Sequence, residues 1–218
     1  MSGKRLARLG RLFRPNRWIS KVEVPSDWLP PLTWTGDGMT LRIYSLEDVA
    51  ELQYATFESY EHLKPWMPWA SDRQTIFQTE KIVRRLISGY HGNDDYTVGI
   101  WDGSTLVGGT GFHLRCGPFA WKCAEIGMWI RSSYASEGWG TRALAQMLEW
   151  GFTEWGWERL IWKCDTRNTG SIRVAEKCGM TLEATFRSDA VDVDGERRDT
   201  HQFVILRQDW QARNPQFG

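Results

Sequence analysis

The stretch "WIRSSYASEGWGTRALAQML", residues 129–148, decides how the chain is read. It leaves an apolar segment, crosses a polar bend, passes through Gly138-Trp139-Gly140 and enters a helical pattern. From Thr141 the apolar residues Leu144, Met147, Leu148, Phe152 and Trp155 keep the i, i+3, i+4 rhythm of a helix packed on one face. Paired glycines ahead of a helix indicate backbone that comes close to something, and the unpaired N–H groups and partial positive charge of a helix start attract anions. Outward from this point, "CAEIGMWIR" reads as the preceding strand and "ERLIWKCD" as the following one.

The rest of the pattern is mixed. "MTLRIYS" is a short strand, and "LEDVAELQYATFESY" is a helix with Leu46, Val49, Ala50, Leu52 and Phe57 on its apolar side. "HLKPWMPWA" breaks that helix with two prolines, and "QTIFQTEKIVRRLISGY" is a second helix whose stripe is Ile76, Val83, Leu86, Ile87 and Tyr90. "DYTVGIWDG" and "STLVGGTGFHLR" flank the hairpin signal Asp102-Gly103. "NTGSIRVAEKCGM" is a short helix with Asn168 as N-cap and Gly179 as its stop, and the chain closes in a hairpin turning at Asp194-Gly195. The expected fold class is α/β of the α+β mixed kind, a mixed sheet of about seven strands flanked by helices.

Composition narrows the function. The chain has 218 residues, with 27 Lys and Arg against 27 Asp and Glu, and this balance excludes a general nucleic-acid binder. The charge is uneven, because Lys4, Arg5, Arg8, Arg11, Arg14, Arg17 and Lys21 precede the first acid, Glu23. Residues 1–38 therefore read as a basic extension and a Pro-, Gly- and Trp-rich linker, and 39–212 as one domain. No apolar run is long enough for a transmembrane segment. Cys116, Cys123, Cys164 and Cys178 contain no C-x-x-C pair and are expected to be reduced, in the cytoplasm. The grouping His113, Cys116, Cys123 matches no common zinc spacing, so no metal is expected.

The bend alone admits three readings. Gly138-x-Gly140-x-x-Ala143, with Asp165 ending the next strand, fits a relaxed dinucleotide fingerprint, but "RSSYASE" separates the strand from the first glycine. A plain Gly-rich turn is the second. The third comes from the flanks. "AEIGMWI", "SSYASEGWGTRAL", "NTGSIRVAEKCGM" and "VDGERRDTHQFVI", with "LKPWMPWA" upstream, resemble in order the GNAT superfamily of N-acetyltransferases, in its ribosomal-protein (RimJ/RimL-like) branch. The resemblance spans about residues 39–210 and implies the GNAT acyl-CoA N-acyltransferase fold, with a mostly antiparallel sheet. It also implies acetyl-CoA as donor and a primary amine as acceptor, ribosomal or other protein N-termini included.

On this resemblance, the backbone of Met128, Trp129 and Ile130 receives the pantetheine arm, and Ser136, Glu137, Gly138, Trp139, Gly140, Thr141 and Arg142 surround the diphosphate. Asn168 and Ser171 match an Asn-x-x-Ser pattern that implies carrier contacts for both, Ser171 as the acid for the leaving thiolate and Asn168 as partner to the pantetheine or a water, and both suit capping besides. Glu125 is the candidate base, on one strand face with Gly127 and Trp129. Trp66 and Trp69 are expected to overhang the acceptor cleft. Two departures stand out: Ala135 replaces the usual Gln or Arg, and Glu137 puts a carboxylate beside the expected anion, for which Arg131 or Arg142 would compensate. An α-amine loses its proton about 3 pH units below a lysine, a difference of roughly 4 kcal/mol, so a site with one plausible base suits N-termini. A small-molecule amine such as an antibiotic, polyamine or amino acid, a catalytically idle acyl-CoA-binding module, and a homodimeric assembly all stay open.

Overall fold

The computed structural model describes residues 24–25 and 28–217. The basic arm from Lys4 to Lys21 lies outside the described residues. Eight strands form one sheet: β1 (Thr33–Gly36), β2 (Met39–Arg42), β3 (Tyr96–Asp102), β4 (Thr105–His113), β5 (Cys123–Ile130), β6 (Arg159–Asp165), β7 (Thr181–Val191) and β8 (Arg197–Leu206). Their order is β1-β2-β3-β4-β5-β6-β8-β7, and every neighbouring pair is antiparallel except β5 and β6. A parallel pair needs a crossover, and helix α4 (Trp139–Thr153) supplies it. The mixed architecture is as expected, with one strand more than counted, because "TWTG" turns at Asp37-Gly38 and pairs with β2 rather than serving as linker. Trp28, upstream of it, packs edge-on against Tyr96 and Phe119.

Helix α4 buries Ala143, Leu144, Met147, Leu148 and Phe152, as its rhythm requires, in a core shared with Phe112, Ala124, Ile126 and the short helix α5 (Thr169–Lys177). Trp155 fills the middle, with Tyr96 at 4.7 Å and Phe112 at 4.9 Å between ring centroids. Much of the tryptophan is spent here: Trp150, Trp155 and Trp157 are all fully buried.

The opposite face of the sheet carries α1 (Val49–Glu58), α2 (Tyr60–Leu63) and α3 (Ile76–His91), with Leu52, Ala55 and Val83 against Tyr44, Trp101 and Leu106. Two stripes shift from expectation. Leu46 falls in a 3-10 turn closed by Ser45 and Asp48, and with Phe57 it is exposed, while Ala55 is buried. Ile76 is the first residue of α3 and lies largely in solvent, its place inside taken by Thr79. A last helix, α6 (Arg207–Arg213), follows β8. Among the described residues no helix is long and apolar enough to cross a membrane.

Candidate active site

The sheet is open at one place. The β5–β6 ladder runs from Cys123 opposite Arg159 only to Ile126 opposite Trp162, although β5 continues to Ile130 and β6 to Asp165. Beyond that point β5 keeps its β4 partner and β6 keeps β8. Burial follows: Cys123 to Ile126 are buried, Gly127 to Ile130 half-buried. In an antiparallel pair successive residues address alternate sides. The Arg131 amide donates to the Val107 carbonyl at 2.7 Å, so Trp129 also addresses β4, and the backbone groups of Met128 and Ile130 face the gap. Of the three residues expected to bind the carrier arm through the backbone, two are therefore available and Trp129 is occupied.

The bend sits at the open end. Ser136, at φ +65°, and Gly138, at φ +87°, are left-handed, and α4 starts at once. The first amide of this region with a partner is that of Arg142, which donates to the Gly138 carbonyl at 3.0 Å. Among the described residues no acceptor takes the amides from Ser136 to Thr141, which leaves a row of donors at a helix start. Gly138 needs its left-handed backbone, for a side chain there would meet nothing within 4 Å. Gly140 is different: a methyl group on it would point between Val174 of α5, at 3.4 Å, and Ile130 of β5, at 3.7 Å.

Other members of the bend have structural employment. The Trp139 ring is buried, edge-on to Tyr134 at 5.5 Å, so only its amide is available to a ligand. Arg142 bonds the carboxylate of Asp37 at 2.6 Å and stacks on Trp139. Arg131 is only 6% exposed and donates to Glu58 at 2.6 Å and Glu51 at 3.0 Å, holding the Glu58 carboxyl below its usual range. Both guanidinium groups are thus engaged by carboxylates, and Glu137 is exposed. Arg131 and the Ser59 hydroxyl, which accepts from the Ser132 amide at 2.9 Å, tie the bend to the first helices.

On the α4 side, Asn168 caps α5 by accepting from the Ser171 amide at 3.0 Å. The Ser171 hydroxyl accepts from the Trp162 indole at 2.9 Å, which leaves its own proton to give. Beside it, burial pushes the Cys164 thiol up. The end of α5 lies against the first turn of α4, where the Cys178 thiol meets the Thr141 carbonyl at 3.3 Å.

Glu125 lies on the opposite face, as the alternation of β5 requires. It is 9% exposed, with Arg115 at 2.8 Å on one carboxylate oxygen and Lys163 at 3.4 Å on the other. Further along that face Trp69, half in solvent, sits edge-on to Trp129 at 5.9 Å, and Trp66 is half-buried in the same loop. Opposite Glu125 in the β4–β5 register stands His113, whose Nδ1 is 2.5 Å from Asp95 Oδ1. The sequence reading gave His113 no role, because its partner is brought to it by the β3–β4 pairing and not by spacing. The dinucleotide alternative loses its acid: Asp165 is buried and ion-paired with Arg167 and Arg198, the Arg167 hydrogen bond holding its carboxyl low.

A sheet opened between two strands beside a donor row at a helix start is an arrangement suited to an acyl-carrier-binding transferase. Residues 39–181 match the acetyltransferase (GNAT) domain, and the chain belongs to that family. Membership carries the N-acetyl transfer and the acetyl-CoA donor that the resemblance implied. Among curated proteins the chain is similar to YnaD of Bacillus subtilis (strain 168), an uncharacterized N-acetyltransferase, at 28% identity over 134 residues, 61% of this chain and 76% of that protein. Among solved structures it resembles RimJ of Mycobacterium smegmatis in complex with CoA-disulfide, with 25% identity, a TM-score of 0.70, and 77% and 81% of the two chains covered. It also resembles the ribosomal-protein-S5-alanine acetyltransferase of Vibrio fischeri, with 18% identity, a TM-score of 0.72, and 83% and 99% covered, a likeness of fold.

Proposed function

We propose that this acetyltransferase acts on the α-amine of a protein or peptide N-terminus by direct transfer in a ternary complex. The observation that carries the reading is the unzipped β5–β6 edge, because it joins the two faces of the sheet at one point. From the α4 face, the amides between Ser136 and Thr141 would hold the diphosphate, and Met128 and Ile130 would bond the pantetheine amides as an added strand does. The acetyl thioester supplies the electrophilic carbonyl. From the other face, an extended N-terminus would enter beside Trp66, Trp69 and Trp129, its nitrogen reaching the gap near Glu125. Ser171, on the carrier side, has the proton that the departing thiolate needs.

The likeness to acetyltransferases named for ribosomal proteins supports a protein acceptor. Free Cys116, Cys123, Cys164 and Cys178 suit a reducing, cytoplasmic setting. The test is incubation with labelled acetyl-CoA and three acceptor sets: peptides with free N-termini, the same peptides N-blocked but carrying lysine, and small amines. Label on the free N-termini is the expected result. Label confined to the N-blocked lysine peptides or the small amines overturns the acceptor assignment, and binding without transfer to any set leaves only a carrier-binding module.

A further inference from the structure

We propose that His113, oriented by Asp95, is the group that takes the proton from the acceptor nitrogen, with Glu125 as the neighbouring carboxylate that holds that nitrogen in place. This rests on the amine-acceptor reading above. The His113 ring ends β4 on the acceptor face, directly across from Glu125. Its Nδ1 lies 2.5 Å from Asp95 Oδ1. A carboxylate can only accept there, so Nδ1 carries the hydrogen, and in the neutral ring the lone pair is on Nε2. Nε2 is aimed at the opening: a Cβ on Gly127 would stand 2.7 Å from it, so the imidazole occupies the space that the missing side chain leaves. Gly127 is the first residue of β5 beyond the last bridge to β6. Among the described residues Nε2 has no hydrogen-bond partner.

The charged groups around the imidazole separate the two candidates. On β5, Glu125 is already paired with Arg115, just past β4, and with Lys163 of β6, so both of its oxygens are engaged, whereas among the described residues Nε2 of His113 is free. Facing His113 from the other side is Asp95, which with Asp94 and Arg85 lines an open groove of about 390 Å³ under the end of α3. The side chain of Asp95 is 45% exposed, so a proton collected at His113 has a short way to water. The step balances. The nitrogen lone pair attacks the acetyl carbon, a C–N bond forms, the nitrogen proton passes to Nε2, and the C–S bond breaks as the thiolate is protonated from the Ser171 side. Solvent afterwards takes the proton from His113 and restores the one at Ser171.

Four variants, His113→Ala, His113→Gln, Asp95→Asn and Glu125→Gln, are compared with the unaltered chain on a peptide with a free N-terminus. The readouts are kcat, the acetyl-CoA dissociation constant, the melting temperature, and kcat with added imidazole. The expected result is a fall in kcat of roughly 100-fold or more for both His113 variants. Acetyl-CoA affinity should stay within about twofold, because the carrier is held on the other face, and free imidazole should restore part of the His113→Ala rate but none of the Glu125→Gln rate. Asp95→Asn offers Nδ1 a donor, which moves the hydrogen to Nε2, so it should lower kcat at least about tenfold without changing the melting temperature. If both His113 variants keep kcat within threefold while acetylation proceeds, or if imidazole rescues nothing, this assignment is overturned and the amine-acceptor reading stands. If the unaltered chain acetylates no amine, both are overturned.

Discussion

Replacing Gly140 with alanine separates a glycine kept for the fold from one kept for a ligand. Gly140 is the second residue of α4 and has no left-handed backbone, so alanine can adopt its conformation. The added methyl would meet Val174 at 3.4 Å and Ile130 at 3.7 Å, ordinary contact distances, so the empty protein accepts it. In a helix this change is worth about 0.5–1 kcal/mol of stability. For a chain of this size that raises the melting temperature by about 1–4 °C. The methyl nonetheless stands beside the Gly140 amide, in the donor row that would hold the diphosphate. Losing or lengthening one hydrogen bond to a charged phosphate would weaken binding by about 1.5–3 kcal/mol, or roughly 10- to 150-fold in Kd. Titration calorimetry with acetyl-CoA, paired with a melting curve of the ligand-free protein, reads both quantities. A variant that melts higher and binds acetyl-CoA as tightly as before would refute the placement of the carrier.

Three further outcomes follow from the geometry. Arg131→Leu removes the cation that Glu51 and Glu58 share, and because both carboxylates stay partly in solvent, denaturant unfolding should show a loss of about 1–3 kcal/mol; no measurable loss would mean that the network does not anchor the bend. Glu58 is held low by Arg131, so its contribution is present above the unfolded-state value of about 4.3 and is lost as pH falls through the lower folded value. Stability measured against pH should therefore decline in that acidic window, and the Arg131→Leu variant should lack this part of the decline. Arg142→Ala should change acetyl-CoA affinity less than about threefold, because Asp37 and Trp139 already engage the guanidinium, and a tenfold loss would show that it swings to the phosphates. Trp69→Ala, which removes one aromatic contact worth about 0.5–1.5 kcal/mol, should raise the acceptor KM about two- to tenfold and leave acetyl-CoA binding alone, an outcome reversed if Trp69 belongs to the carrier side.

What the sequence disclosed was what is local. The α4 rhythm, the Asp102-Gly103 and Asp194-Gly195 turns, and the Asn168 cap with its Gly179 stop are each written within a few residues, and each is found in the structure. The residues of β1 look like linker in the sequence because four residues among prolines carry little alternation, and only pairing with β2 makes them a strand. Leu46 and Phe57 fit the apolar side of one continuous helix in the sequence, but a 3-10 turn interrupts its phase and both are exposed. At the site the bend was legible, since glycines and a helix start are a local pattern. The employment of Arg131 and Arg142 was not, because Glu58 and Asp37 reach them across the chain. The Asp95–His113 pair was hidden for the same reason: the β3–β4 register creates it.

A crystal structure of the protein with acetyl-CoA bears on the central claim most directly. The account predicts diphosphate oxygens within hydrogen-bond distance of amides between Ser136 and Thr141, and pantetheine amides on the backbone of Met128 and Ile130, with the β5–β6 edge still open beyond Ile126. Acetyl-CoA bound away from the head of α4, or a β5–β6 ladder continuing past Trp162 with no room for the arm, would contradict it.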